Sequence, residues 1–374
     1  MEDINKKLYP LEFLEDSLET PWGHVSYQIA DLGSVDSMIS GGWFGGNTLS
    51  ELMGTYLERV VGDDAFEYYG LQFPLLVKVM KTTGWQPLQM NVSDEVAEAR
   101  YDSFGKKALW YIRKADTEAI LYLGLNRDVD AAEFYSRSQD GSVKVILNEI
   151  HPSVGDVFLI EPGTVFAAGP GLEILEIGEC SELTLNLETE LEEAFDLIDF
   201  RKYTLSGSID PSATVATLGH VRGGTIDEKG GERTGSLDDF RDDGGVRGAD
   251  VERGVNAPGR IVAECDEFKV TKLRLDDPIH IFSEQPGSFA IYHCISGEAI
   301  IQAPNESSGF DSFDLKVGKS MLVPSEVNDF MLFPAREDTV VLEALVERRS
   351  VRDSYTEDSP AEDDTPDPHV RNWN

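Results

Sequence analysis

At 374 residues, with 41% apolar and 9% aromatic content, the chain is long enough for two or three domains around a large core. Its 32 basic residues face 69 acidic ones, a formal net charge of −37, which argues against a nucleic-acid or anionic-membrane partner because both need a basic patch. No run of about 18 apolar residues suggests a membrane span, and the opening MEDINKKLYPLEF lacks the apolar centre of a signal peptide, so a cytoplasmic location is expected. Cys180, Cys265 and Cys294 are few, odd in number and far apart, which reads as reduced packing thiols rather than a disulfide framework or metal cluster. The acidic excess itself reads as a solvated surface.

In chain order, residues 1–35 form an apolar-polar entry segment containing Trp22-Gly23. The glycine-rich stretch 36–46 lacks both the Gly-Lys-Ser/Thr ending and the Gly-x-Gly-x-x-Gly spacing of a phosphate cradle. Thr48 and Glu51 form a capping box for a helix over 49–61. The continuous apolar run 73–80 predicts a buried strand, and after a turn at 82–84 the alternation over 88–91 predicts a second one. Side chains in a strand repeat every two residues, so Gln89 and Asn91 share a face. Ser93 is placed to cap a helix over 94–103, with Asp94 and Glu95 favouring its first turn and Gly105 stopping it. A strand over 108–113 then carries Trp110 and Tyr111.

Strands are expected at 119–123 and 143–147 around a helical insert near 129–136. Gly155-Asp156 and Pro162-Gly163 are turn pairs flanking a strand, 172–177 reads as another strand, and an amphipathic helix over 191–203 closes a first domain, 1–205. Residues 206–259, rich in Gly, Asp and Arg, read as a flexible linker or insertion. Short strands at 261–264, 268–273, 280–282, 289–294, 298–302, 320–323, 330–333 and 340–346 make a C-terminal β domain, 260–347. An acidic tail, 348–374, reads as disordered.

Several stretches resemble type I mannose-6-phosphate isomerases, zinc enzymes built from cupin barrels. They are Gln89-Met90-Asn91-Val92-Ser93-Asp94, Gly105-Lys106-Lys107-Ala108-Leu109-Trp110-Tyr111, residues 154–167, and residues 172–186. Cys265-Asp266-Glu267-Phe268 resembles the start of that family's C-terminal cupin, and residues 317–325 echo 155–163. The resemblance implies a mainly β fold of two cupin (jelly-roll) barrels with a few α-helices in the N-terminal half. It also implies that the family's four metal-ligand positions fall on Gln89, Asn91, Ala108 and Phe166, and its active-site arginine on Asn186. Alanine and phenylalanine offer no donor, and two neutral amides are poor partners for zinc. None of His24, His151, His220, His280, His293 and His369 falls in a ligand position, and each reads as a structural or surface histidine.

The expectation is therefore a metal-free homologue that binds a sugar or sugar phosphate through Gln89, Asn91, Lys106 and Glu176, with no cofactor and with Phe166 filling the former metal volume. Lys106 and Glu176 are the candidate catalytic groups should any chemistry survive. Lys106 is otherwise a solvated lysine at a turn, and Glu176 a polar barrel lining. Two alternatives stay open: a working isomerase with a rearranged zinc site, interconverting mannose 6-phosphate and fructose 6-phosphate, and a purely structural or interaction role. The sequence leaves the oligomeric state open.

Overall fold

The structure, a computed structural model, describes residues 6–203, 215–216, 250–252, 259–283, 288–305 and 309–346. The expected tail, and all of the expected linker except 215–216, 250–252 and Gly259, lie outside the described residues.

The first half contains β1 Asp16–Thr20, β2 Gly23–Ile29, α1 Leu49–Tyr56, α2 Glu58–Val61, α3 Asp63–Tyr69, β3 Leu75–Thr82, β4 Gln89–Asn91 and α4 Asp94–Tyr101. It continues with β5 Ala108–Ala115, β6 Leu121–Leu125, α5 Ala131–Asp140, β7 Leu147–Ile150, β8 Val157–Ile160, β9 Val165–Ala168, β10 Leu172–Glu179, β11 Thr184–Asn186 and α6 Leu191–Ala194. After the short β12 Val215–Ala216 and β13 Asp250–Glu252 come β14 Arg260–Glu264, β15 Lys269–Arg274, β16 Ile279–Phe282, β17 Ala290–Ser296, β18 Glu298–Asn305, β19 Gly309–Lys316, β20 Ser320–Val323, β21 Asp329–Pro334 and β22 Val340–Leu345.

These strands form two double-sheet barrels. In the first, a seven-stranded sheet β1-β2-β3-β10-β5-β8-β12 faces a five-stranded sheet β11-β4-β9-β6-β7. In the second, β13-β16-β21-β18-β19 faces β14-β15-β22-β17-β20. The mainly β, two-barrel expectation is met.

Strand alternation sorts the first barrel into layers. Leu76 and Met80 of β3, Trp110 and Ile112 of β5, and Ile174 of β10 point into the barrel. Their neighbours Val77, Val79, Leu109, Tyr111, Leu175 and Ile177 point outward into one continuous core shared with the second barrel and with helices α1 to α3. Because β3 and β10 are buried on both faces, their apolar residues do not alternate with polar ones, and the charged side chains Lys78 and Glu176 interrupt the two runs. The outer face of the small sheet, with Met90, Tyr122, Val165 and Leu185, is covered by α5 and α6.

Several local expectations need correcting. The helix expected over 49–61 breaks at Leu57, which adopts φ 52°, and resumes as α2. The break lets the Val60 and Val61 carbonyls accept hydrogen bonds from Ser325 and Phe289 of the second barrel. The capping box of Thr48 and Glu51 is present, whereas Ser93 makes no side-chain cap on α4. The strand expected at 143–147 is a 3-10 turn over Val143–Ile146 followed by β7. The helix expected over 191–203 is only α6 plus a 3-10 turn over Phe195–Leu197. The chain then leaves helical geometry, and the Tyr203 amide donates to the Leu125 carbonyl. All three cysteines are free thiols.

A polar thread stitches the barrels together. Gln28 Nε2 donates to the Gly318 carbonyl at 2.7 Å, and Ser320 Oγ donates to Gln28 Oε1 at 2.6 Å. Ser320 Oγ must then accept from His293 Nδ1, 2.9 Å away, which assigns the proton to Nδ1. His293 is fully buried and its Nε2 has no hydrogen-bond partner among the described residues. Burial, with some help from the Arg113 charge, pushes its pKa down to about 3. Between that value and the ordinary histidine value of about 6.5, the unfolded chain binds the proton and the folded chain does not. His293 therefore favours folding fully above about pH 6.5 and progressively less as pH falls, at up to about 1.4 kcal/mol per pH unit. Urea unfolding from pH 7 to pH 5 should show a shallower pH dependence for His293→Leu than for the parent chain; equal slopes would refute this account.

Candidate functional site

The centre of the first barrel is a row of three side chains on adjacent strands. Glu176 of β10 lies opposite Lys78 of β3 on one side and Trp110 of β5 on the other. Trp110 Nε1 donates to Glu176 Oε2 at 2.8 Å, and Lys78 Nζ lies 3.0 Å from Oε1. Lys106, two residues ahead of β5, places its Nζ 3.1 Å from the same oxygen. The three charged side chains are 14%, 6% and 4% exposed for Lys78, Lys106 and Glu176. Burial alone would raise the Glu176 pKa, but the Lys106 and Lys78 ammoniums and the Trp110 donor outweigh it and hold the carboxyl down at about 2. Burial depresses the Lys106 pKa, and the Lys78 charge adds to that while Glu176 opposes it. Two ammoniums thus share one carboxylate in an apolar interior.

The reading of Lys106 as a solvated turn lysine is therefore overturned. It is drawn inward because Glu176 is the acceptor within its reach. Lys78 was not recognised from sequence, although a single lysine inside Leu75-Leu76-Val77-Lys78-Val79-Met80 carried the signal: a charge within a strand buried on both faces needs a partner.

The remaining expected site residues fall as follows. Phe166 of β9 is 4% exposed and packs edge-on against Trp110, with ring centroids 5.3 Å apart at 82°. Gln89 lies opposite Phe166 in the ladder and opposite Asn186 on the other side. Asn91 is 1% exposed, and its Oδ1 accepts from Thr184 Oγ1 at 2.9 Å. Ala108 lies between Ile160 and Gly178. Asn186 Oδ1 accepts from the Glu188 amide at 2.9 Å, and its own amide donates to Glu190 Oε2, so this side chain shapes a turn.

Beyond the barrel, an open groove of about 790 Å³ is lined by Asp31, Gln72, Tyr101, Cys180 and Glu182 among others, and among the described residues no lysine or arginine lines it. The Cys180 thiol is pushed up to about 12 by burial, so it is no nucleophile. Carboxylate oxygens of Asp94, Glu179 and Glu267 lie within 4.8 Å of one another. This trio is served by cationic and amide donors: Lys107 Nζ reaches Glu267 at 2.8 Å, the Lys107 amide reaches Glu179 at 2.9 Å, and the Gly105 amide reaches Asp94 at 2.8 Å.

Fold and site together define a two-barrel cupin-type protein whose first barrel carries a buried lysine–glutamate–lysine cluster. No protein-family model matches the chain. It is 23% identical over 297 residues to a mannose-6-phosphate isomerase of Bacillus subtilis, covering 79% of this chain and 82% of that protein. A mannose-6-phosphate isomerase of Streptococcus mutans is 27% identical over 183 residues, covering 49% of this chain and 54% of that protein. In structure it overlays a mannose 6-phosphate isomerase from Bacillus subtilis with a TM-score of 0.64 at 18% identity, covering 90% of this chain and 99% of the other. The apo form of the Salmonella typhimurium enzyme gives 0.61 at 11% identity, covering 91% and 100%. The chain is thus similar in sequence to mannose-6-phosphate isomerases and shares their cupin-type fold.

Charge balance in the cluster sets its mutational response. Glu176→Gln leaves two buried ammoniums facing an amide and should cost about 3–5 kcal/mol. Lys78→Met leaves a one-to-one pair and should cost less than about 1.5 kcal/mol. Denaturant unfolding of the two variants gives the ranking, and the reverse order would contradict the assignment.

Proposed function

We propose that this chain is a non-catalytic homologue of the mannose-6-phosphate isomerases, one that binds a sugar or sugar phosphate without holding zinc and without isomerising it. The observation that carries this reading is the content of the first barrel. Zinc is held by thiolate, imidazole or carboxylate donors. Of the four positions the resemblance assigns to metal ligands, Ala108 and Phe166 have no donor atom, and the Asn91 amide oxygen is already bonded to Thr184. The nearby carboxylate, Glu176, is held by two ammoniums and an indole N–H. A divalent cation brought there would meet two positive charges before it met a free ligand. The residues present do not fit the metal.

The competing reading is a working isomerase. It is favoured by the names of the relatives and by the fact that the match to the Bacillus subtilis enzyme spans 82% of that protein. Glu176 as a proton acceptor would have to give up both lysines first.

Three measurements on the purified full chain separate these readings. Elemental analysis after incubation with excess zinc should find well under one zinc per chain. A coupled assay with mannose 6-phosphate should show no turnover, while about 1 per second would mark an ordinary enzyme and overturn the proposal. Mannose 6-phosphate should raise the unfolding temperature, a bound ligand at 100 times its Kd being worth about 2.7 kcal/mol. Rebuilding the donors with Asn91→His, Ala108→Glu and Phe166→His together should raise the bound zinc toward one per chain.

A further inference from the structure

We infer that the sugar phosphate is received outside the barrel, in a cavity on the outer face of the small sheet built around Trp85, Tyr122 and Lys144. This rests on the proposed function for its ligand class and names a different place for the site. The cavity has a volume of about 250 Å³ and lies between that sheet, the end of α5 and the 3-10 turn over Val143–Ile146. It falls just below the roughly 300–1,000 Å³ typical of drug-sized ligand sites, a size suited to a single substituted ring.

Its lining has the chemistry such a ring would use. Trp85 is 38% exposed and stacks on Tyr122 with centroids 5.0 Å apart at 18°, giving a flat aromatic wall for the apolar face of a ring. The indole stands where it does because Gly169 leaves room: a Cβ there would lie 3.0 Å from the ring. Leu88 and Leu187 add apolar lining. Ser138 and Gln139, at the end of α5, also line it and carry polar groups able to meet sugar hydroxyls. Ser138 Oγ is buried with no hydrogen-bond partner among the described residues, an arrangement that costs free energy unless something fills it.

Lys144 completes the set. Its Nζ lies 4.5 Å from the Trp85 ring centroid and 5.9 Å from that of Tyr122, and among the described residues no carboxylate pairs with it. In a chain of net charge −37, an ammonium held over aromatic rings with no carboxylate partner is a local place for an anionic group. Glu188 also lines the cavity, so what separates it from the larger groove, lined by Asp31 and Glu182, is Lys144: among the described residues no lysine or arginine lines that groove. Inside the barrel, Lys78 and Lys106 are already committed to Glu176.

Titration calorimetry and tryptophan fluorescence on the full chain, with mannose 6-phosphate, mannose and inorganic phosphate as probes, test the placement. Mannose 6-phosphate should bind more tightly than either fragment. Lys144→Gln should weaken mannose 6-phosphate about tenfold, the loss of one charge-assisted contact, while leaving mannose unchanged. Trp85→Ala should weaken both sugars, and Glu182→Gln in the groove neither. Lys144→Gln alters one exposed side chain, so it keeps the test decisive should Trp85→Ala fold poorly. Undiminished mannose 6-phosphate affinity in Lys144→Gln and Trp85→Ala would overturn this placement and leave the proposed function standing. Phosphate binding as tightly as the sugar phosphate would overturn the sugar component. No binding of any probe to the parent chain would overturn both the placement and the ligand class beneath it.

Discussion

Two ammoniums and one carboxylate buried in an apolar barrel impose the constraint on which the first half of the molecule depends. Charges in such a place are tolerated only when paired and hydrogen-bonded. Lys78, Glu176 and Trp110 meet because β3, β10 and β5 hold them in one row. A slip of one residue in either ladder would send Glu176 or Lys78 to the opposite face, among the leucines and valines of the shared core, and would turn Val77 or Ile177 inward. Register in this sheet is thus fixed by electrostatics as well as by hydrophobic sorting. The same cluster sets what the barrel interior can accept, because any newcomer must displace a lysine from Glu176 or a phenylalanine from Trp110.

The second constraint is that the barrels share one core and neither closes it alone. Two consecutive lysines just ahead of β5 show how the chain manages this. Lys106 turns into the first barrel toward Glu176, and Lys107 turns toward Glu161 and Glu267, the latter at the entry to the second barrel. Glu161 feels its burial, which raises its pKa, with Lys107 opposing. Lys107 therefore stabilises a junction where several acids crowd together, and the Asp94, Glu179 and Glu267 trio there behaves as part of an ion-pair junction. Arg59, reaching Glu326 from α2, and the Gln28–Ser320–His293 thread do similar work elsewhere on the interface.

Much of this was legible in the sequence, and what was missed has physical causes. The run 73–80 announced a strand because burial on both faces removes alternation, and Gln89 and Asn91 shared a face as the two-residue period required. Phe166 could be recognised as filling the former metal volume through the resemblance, but its edge-on contact with Trp110 could not. The partners of Lys106 and Glu176 were hidden because they come from β3 and β5, far away in sequence. Leu57 misled because nothing in its local context forecasts a break. That kink satisfies hydrogen bonds to the second barrel, a tertiary demand overriding helix propensity. The stretch after Leu191 was amphipathic enough to be taken for a helix, yet Asp199, Phe200 and Tyr203 are held by partners on the sheet side: the Gly163 carbonyl, the Val129 amide and the Leu125 carbonyl.

The alternation that blurs in the large sheet returns in the small one, and it separates two chemistries on a single strand. Phe166 and Ala168 of β9 face the barrel interior, while Val165 and Ala167 face outward, the latter onto the Trp85 cavity. Side chains on opposite faces of one strand do not touch, so the inner face can be filled by phenylalanine and locked by Glu176 without altering the outer wall. A cupin barrel whose interior holds committed ion pairs is therefore not emptied of function by that fact. The sheet it has stabilised presents a second surface, with aromatic stacking and a lysine free of carboxylate partners among the described residues. The decision between a silent barrel and a binding protein then rests on which face of β9 the ligand meets.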